Sequence, residues 1–379
     1  MPSVLPLLIP MHGRMLHGVN GELTFVPYGQ REHEVIYSVS RPGLNRVLLD
    51  AAEEAGVAIQ FGQSIASVED GQLRTESGAR FESHHTIAAD GAGSVMRKQI
   101  VDTTNADCSE LLLEHGYKEL TLPAGQDGRH QLERNALHIW PRGGFMLIAL
   151  PNLDGSFTVT LFLPRSGPDS FETLRSEQHI RAFFEQHFAD VLLLMPNLET
   201  EFLAHPTGIM GTIYCNRWCV GDELLLIGDA AHAITPFHGQ GMNCAFEDCR
   251  ILTEMLQVRE DWSAAFVEFQ STRKPDTDAI AQMAIENYLE MRDTVRDPKF
   301  LLQKSLSLEL ERRFPERFVP RYSMVMFHDE IPYSVAYARG AIQTEILGEL
   351  TREVNALGDV DFECAEQLIA ARLPLLHTA

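Results

Sequence analysis

The sequence predicts a mixed α/β protein: a nucleotide-binding type of unit interleaved with an antiparallel sheet, followed by a helical C-terminal region. Three observations carry that reading. An apolar run at 224–227 ends in Gly228-Asp229-Ala230-Ala231 and passes through Pro236, Gly239 and Gly241 into a helix that starts near Met242. That is a buried strand, a loop and a helix start, at the strand end where open α/β sheets hold ligands. Segments 137–140, 145–150 and 157–163 are separated by the turn clusters PRGG and PNLDGS, the pattern of antiparallel strands. From Trp262 onward helix formers dominate, broken by prolines.

The chain has 379 residues, of which 45% are hydrophobic, enough for two or three packed units. Its net charge of −22 argues against nucleic acid and anionic membrane surfaces as partners. A small anionic ligand stays open, because one local arginine overrides the average. Among six cysteines, Cys215 and Cys219 are close in sequence but lack the second pair that a zinc site needs. Reduced thiols, no metal and a cytoplasmic location are expected. The opening MPSVLPLLIPM is apolar, but prolines interrupt it and it lacks the basic lead of a signal peptide. No stretch reaches the roughly 18–20 apolar residues of a transmembrane helix.

Taken in order, 35–39 reads as a strand. Arg41-Pro42-Gly43 turns into a helix over 44–55, with Leu44, Val47, Leu48 and Ala51 at helical spacing and Gly56 as its stop. Short segments at 57–61, 65–69, 72–76 and 85–89, divided by Asp-Gly and Ser-Gly turns, predict a small meander. In Ala88-Ala89-Asp90-Gly91-Ala92-Gly93-Ser94-Val95-Met96 the third glycine of a dinucleotide fingerprint is replaced by Met96, so the stretch is not such a loop. Leu137, Met146, Ile148 and Phe162 are candidate wall residues of a pocket roofed by the second sheet. A helix is expected over 176–187. Met242, Ala245, Phe246, Cys249, Leu252 and Leu256 mark an amphipathic helix, and another runs over 262–291. Arg14, in MHGRM, is a candidate clamp for a carboxylate, and Tyr28 a candidate phenol donor.

GDAAH at 228–232 followed by PFHGQGMN at 236–243 resembles the second flavin motif of the FAD-dependent aromatic hydroxylases, and AADG at 88–91 resembles their Asp-Gly motif. MHGRM, HGYKEL, NALHIWP, SFTVTLF, HPTG, ENYLEM and PRYSM are similar to the kynurenine-hydroxylating branch of that family, and the likeness runs over nearly the whole chain. It implies an FAD-binding Rossmann-like domain at 1–105 and 200–258, N-terminally truncated. It further implies an antiparallel substrate-domain sheet at 106–199 and C-terminal helices at 259–379. The implied reaction is NADPH- and O2-dependent hydroxylation of L-kynurenine to 3-hydroxykynurenine on bound FAD, a step of tryptophan catabolism. Carried over by position, Arg41, Ile65, Asp90, Asp229, Gly241, Met242 and Asn243 fall on the cofactor. Arg14, Tyr28, Asn287 and Tyr322 surround the amino-acid head. Pro236 and Phe237 lie by the substrate ring, with Glu290 behind. His238 is a candidate proton carrier or a packing residue. Another aromatic amino acid as substrate, and an inactive flavin-free remnant, are the alternatives.

Family members begin with a strand, a G-x-G-x-x-G loop, a helix and an acidic residue for the adenine ribose. None of these occurs here, so roughly 70 residues of that βαβ unit are expected ahead of Met1. Two expectations follow: a full enzyme read from a late start or through a frameshift, or a genuine product that is a non-catalytic remnant or needs a separate partner chain. The proline-broken apolar start favours the first.

Overall fold

The computed structural model describes residues 3–69, 71–291 and 297–376. Met1, Pro2 and Asp70, which belong to the expected apolar start and to one expected Asp-Gly turn, lie outside them.

The N-terminal part contains strands β1 (Leu8–Met11), β2 (Gly13–His17), β3 (Leu23–Pro27) and β4 (Ile36–Val39) and helix α1 (Arg41–Glu54). The Ser40 hydroxyl accepts from the Gly43 amide at the start of α1, and Pro42 sits in the first turn, where a missing N–H costs nothing. A meander of β5 (Ile65–Glu69), β6 (Gln72–Thr75) and β7 (Arg80–Glu82) follows, then β8 (Thr86–Ala88) and α2 (Val95–Thr104). Residues 57–61, expected as part of that meander, are irregular. Val57 and Phe61 are exposed, so no packing supports a strand there.

The large sheet is built from β9 (Cys108–Leu122), β10 (Ala136–Pro141), β11 (Met146–Pro151), β12 (Phe157–Pro164) and β13 (Gly208–Cys215), joined by β2 and β3. Its order is β13-β9-β12-β11-β10-β2-β3. Every pairing is antiparallel except β10 with β2, which places Leu137 opposite Arg14. The sheet therefore crosses the expected boundaries at 106 and 199. It recruits the β2–β3 hairpin from the N-terminal side and β13 from the C-terminal side. The 15-residue strand β9 was not foreseen. Its residues 109–115 carry no clean alternation, because β13 and β12 pair with it on either side over different stretches.

Alternation across this sheet sorts its side chains into two layers. Trp140, Leu147, Ala149, Val159 and Leu161 pack against α3 (Glu177–His187), α4 (Ala189–Leu192) and α5 (Leu198–Ala204) through Ile180, Phe184, Phe188, Val191 and Phe202. Within that layer the Glu133 carbonyl accepts from His138 Nε2 (2.8 Å), which leaves His138 Nδ1 to accept from His17 Nε2 (2.8 Å). Asp190 closes the chain by accepting from His17 Nδ1 (3.2 Å) and Trp140 Nε1 (2.7 Å). On the opposite face Ile139, Met146 and Phe162, flanked by Leu137 and Ile148, pack against Phe237, Tyr288 and Met291. All four expected wall residues belong to this second layer.

Strands β14 (Cys219–Val220) and β15 (Leu224–Leu226) pair with each other, and β15 runs parallel to β8, with Leu226 opposite Ala88. Helix α6 (Asp229–His232) and helix α7 (Gly241–Val258) follow, then α8 (Trp262–Leu289). Helices α9 (Pro298–Arg313), α10 (Arg321–Phe327), α11 (Tyr333–Leu350) and α12 (Phe362–Arg372) complete the chain, largely around Leu306, Leu310, Phe318 and Ile346. The expected mixed α/β architecture with C-terminal helices is the observed one.

Candidate active site

Two neighbouring parallel strands end side by side. Beyond the carboxyl end of β8 stands Asp90, and beyond that of β15 stands Asp229. The turn at Gly228 has φ +57°, a left-handed value that favours glycine, and an added Cβ would sit 3.1 Å from the Ala245 side chain. The Asp229 carboxylate is exposed and makes no hydrogen bond among the described residues. Helix α7 starts at Gly241 without a side-chain cap, with Met242 and Asn243 exposed at its first turn. Uncapped amides there carry partial positive charge and seek an acceptor. An unpaired carboxylate and uncapped amides at one sheet edge fit a group presenting both hydroxyl donors and carbonyl acceptors, as a flavin with its ribityl chain does.

The other expected cofactor positions are placed differently. Asp90 is occupied as a cap: it accepts from the Ser94 hydroxyl (2.6 Å) and from the amides of Val95 (2.9 Å) and Met96 (3.3 Å). It therefore orients α2, and Arg97 of α2 reaches the Ala230 carbonyl at 2.9 Å. Arg41 is exposed at the start of α1, and its guanidinium has no partner among the described residues. Ile65 opens β5 and packs against the core around β15.

Behind this edge lies a buried ionic network. Asp248 of α7 is fully buried and accepts from the Gly228 amide (2.9 Å), His232 Nε2 (2.6 Å) and Arg273 Nε (2.8 Å). Burial pushes the Asp248 carboxyl up, yet the His232 and Arg273 contacts outweigh it and hold the group below the ordinary range. His232, Cys244 and Asp248 are grouped closely enough to suggest a metal. The Arg273 guanidinium already fills that place, with Nη2 3.4 Å from the Cys244 sulfur.

Of the expected substrate residues, Arg14, Tyr28 and Tyr322 come together. Arg14 of β2 lies with its guanidinium carbon 5.5 Å from the Tyr28 ring centre and 5.1 Å from that of Tyr322 on α10. The two phenol rings stack at 5.9 Å, and His238 stacks on Tyr322 at 5.5 Å. Arg14 Nε, the Tyr28 hydroxyl and His238 Nδ1 are buried without a hydrogen-bond partner. Burial opposes the charge on Arg14, but the facing Tyr322, Tyr28 and Glu290 hold it above the ordinary arginine range. Burial pushes the Tyr28 phenol up. Burial also pushes His238 down to about 4, helped by Arg14 and Arg321. The imidazole is thus neutral at neutral pH, a hydrogen-bonding and stacking group rather than a reservoir of protons.

Asn287 donates to the Phe237 carbonyl at 2.5 Å and fixes the Pro236–His238 turn against α8. Phe237 stacks on Tyr288 at 4.3 Å and touches Phe162 at 4.9 Å, while Pro236 is exposed. A cavity of about 30 Å³ is lined by Arg14, Leu16, Ile139, Glu290, Met291 and Lys304. Sequence reasoning missed Tyr288 and Lys304. Tyr288 sat inside the quoted ENYLEM. Lys304 follows Phe300 and Leu301 at helical spacing, the one signal that would have placed a cation on their face of α9.

A family model described as an FAD binding domain matches residues 12–263. A kynurenine 3-monooxygenase of Stenotrophomonas maltophilia (strain K279a) is 45% identical over 384 residues, covering 100% of this chain and 84% of the relative. The kynurenine 3-monooxygenase of Xanthomonas campestris pv. campestris (strain B100) matches with the same identity and coverage. The chain belongs to the kynurenine 3-monooxygenase family. It is an FAD-dependent monooxygenase by that membership, as the flavin motifs implied. Solved structures share the fold. A 2-methyl-3-hydroxypyridine-5-carboxylic acid oxygenase superposes with TM-score 0.62 at 19% identity, covering 78% of each chain. Klebsiella pneumoniae HpxO complexed with FAD and uric acid superposes with TM-score 0.60 at 19% identity, covering 82% of this chain and 79% of its own.

Proposed function

We propose that the protein hydroxylates L-kynurenine at the ring carbon beside the aromatic amine, using NADPH and O2. The observation that carries this reading is the cluster of Arg14, Tyr28 and Tyr322, drawn from three segments of the chain, with Asn287 holding the neighbouring Phe237 turn in place. A buried guanidinium whose Nε has no partner, set between two phenols, suits the carboxylate of an amino acid. The aromatic layer of Phe237, Tyr288, Phe162 and Met291 suits its ring.

Bound FAD, reduced by NADPH, supplies the oxygen-transfer chemistry. The chain's own residues orient and shield. Asp229 would accept hydrogen bonds from the cofactor's ribityl hydroxyls, and the α7 start, with Gly241, Met242 and Asn243, would offer it backbone amides. Arg14 and Tyr28 hold the substrate head, and the apolar layer excludes water from the reacting ring. Arg41, Ile65 and Asp90 complete the cofactor side of this proposal, Asp90 by setting α2 beside the Asp229 turn. Glu290 lines the head-group end of the cavity. No helix among the described residues is long and apolar enough to cross a membrane, and free cysteines fit a reducing cytoplasm.

The test is turnover of L-kynurenine with FAD, NADPH and O2, read by chromatography of 3-hydroxykynurenine. Arg14→Met should raise KM for kynurenine by roughly tenfold or more, the worth of a charge-assisted hydrogen bond. Unchanged KM removes Arg14 from the head-group site. Faster turnover of a different aromatic amino acid would reassign the substrate within the same chemistry.

A further inference from the structure

We propose that Lys304 is the second cation of the carboxylate site, a specificity-determining residue that binds the substrate's acid group together with Arg14. The inference rests on the amino-acid-head reading above and deepens it. Lys304 and Arg14 come from different elements, α9 and β2, yet line one small cavity whose other walls among the described residues are Leu16, Val26, Ile139, Met291, Phe300 and Leu301 beside Glu290. Among the described residues, two cations therefore face the same chamber against one carboxylate. The Lys304 ammonium makes no hydrogen bond or ion pair among the described residues.

An unpaired ammonium among apolar walls is unfavourable unless an anion joins it. A zwitterion placing its carboxylate between Lys304 and Arg14 neutralises the pair. A planar guanidinium offers two parallel donors to that carboxylate, and the ammonium adds a point charge from another direction. An amine lacking the acid group leaves both cations unmatched, so the chamber selects against it.

Desolvation and the Arg14 charge push Lys304 down to about 8, with Glu290 opposing. Four other titratable groups of the site do not change charge near that pH. Tyr28 and Tyr322 are pushed up by burial, Arg14 stays charged, and His238 lies at about 4. Affinity for the acid should therefore weaken as pH rises through 8 to 9, because the empty site loses its ammonium. The sign for stability is opposite. A lysine whose pKa is lowered by folding penalises the fold below about 8, and the penalty disappears as pH rises toward the ordinary 10.5.

The test is calorimetric binding of L-kynurenine and of its decarboxylated amine to the parent protein, Lys304→Met, Lys304→Arg and Arg14→Met, with the melting temperature of each. Binding needs no turnover. Lys304→Met should weaken the acid about tenfold, leave the amine unchanged or tighter, abolish the pH dependence above 7, and raise the melting temperature. Lys304→Arg should retain most of the acid affinity. Acid affinity in Lys304→Met equal to the parent overturns the proposal, and so does equal weakening of both ligands with a lower melting temperature, the signature of a purely structural lysine. Failure of the underlying reading looks different: the parent does not bind the amino acid, or Arg14→Met binds it as tightly as the parent.

Discussion

Histidine 138 shows how one buried side chain sets a response of the fold to pH. Burial pushes it down to about 4 from an ordinary value of 6.5, and its Nε2 proton is committed to the Glu133 carbonyl. His238 is held at a similar value for the same reason. For both, the folded protein keeps a neutral ring while the unfolded chain takes up a proton below about 6.5. Above that pH neither contributes to any slope. Between about 6.5 and 4 stability should fall by about 2–3 kcal/mol per histidine. Chemical denaturation at a series of pH values checks this, and His138→Gln should make the slope shallower. A profile with no loss across that window would mean that both rings protonate readily in the fold. The Asp190 carboxylate, held low by His17 and Trp140 despite its partial burial, titrates below this window.

At the scale of the element, the strand–turn–helix unit from β15 to α7 is held from behind as well as by its own backbone. One carboxylate, Asp248, ties the Gly228 amide, the α6 histidine and the α8 arginine together. Asp248→Asn would leave Arg273 buried against weaker acceptors and cost about 3–5 kcal/mol, the range for breaking a buried pair. The same substitution should loosen FAD, because the Gly228 turn that aims Asp229 loses its anchor. Denaturant midpoints and a flavin-fluorescence titration read the two effects separately. A variant with native stability and native FAD affinity would show the network to be incidental. The pair's stabilisation should also fade in acid. A carboxylate held below its ordinary value stabilises above about pH 4 and loses that effect as pH falls further.

This unit was the most legible part of the sequence. Buried strands, a positive-φ glycine and an uncapped helix start all leave local signatures, and GDAAH with PFHGQGMN contains them within twenty residues. The two-faced strands β10, β11 and β12 were legible for the same reason, and so were the wall residues on one face. What escaped was pairing. Nothing local says that β2 adds to β10 in parallel, or that β9 pairs on both edges. Those choices are made by partners from 35 to 123 positions away. Asp90 illustrates a second limit. Its position beyond a strand end was clear, but its commitment to the Ser94 and Val95 cap shows only in three dimensions. Lys304 escaped because a lysine on a helix is ordinarily solvated, and only the meeting of α9 with β2 makes it unusual.

For the whole molecule, the position of Arg14 fixes an order of events. The Arg14 strand is seated by β10, 123 positions away in register with Leu137, and its guanidinium meets Tyr322, 308 positions away. Closing loops of that length is slow compared with forming the meander or the hairpin of β11 and β12. Trp218 and Trp262, in contrast, pack in the core around β15, whereas Trp140 stacks on His17 of β2 at 3.9 Å. In a Trp140→Phe variant the remaining tryptophan fluorescence should therefore reach its native value before affinity for kynurenine returns, a lag that stopped-flow mixing resolves. Simultaneous recovery of both would mean that the sheet assembles as one unit. The lag has a bearing on life in the cell. A newly made chain passes through a compact stage in which its cores are closed and its ligand pocket is still unmade, so a scarce substrate cannot rescue it there. Only after the last helices arrive can a bound small molecule protect the protein from degradation.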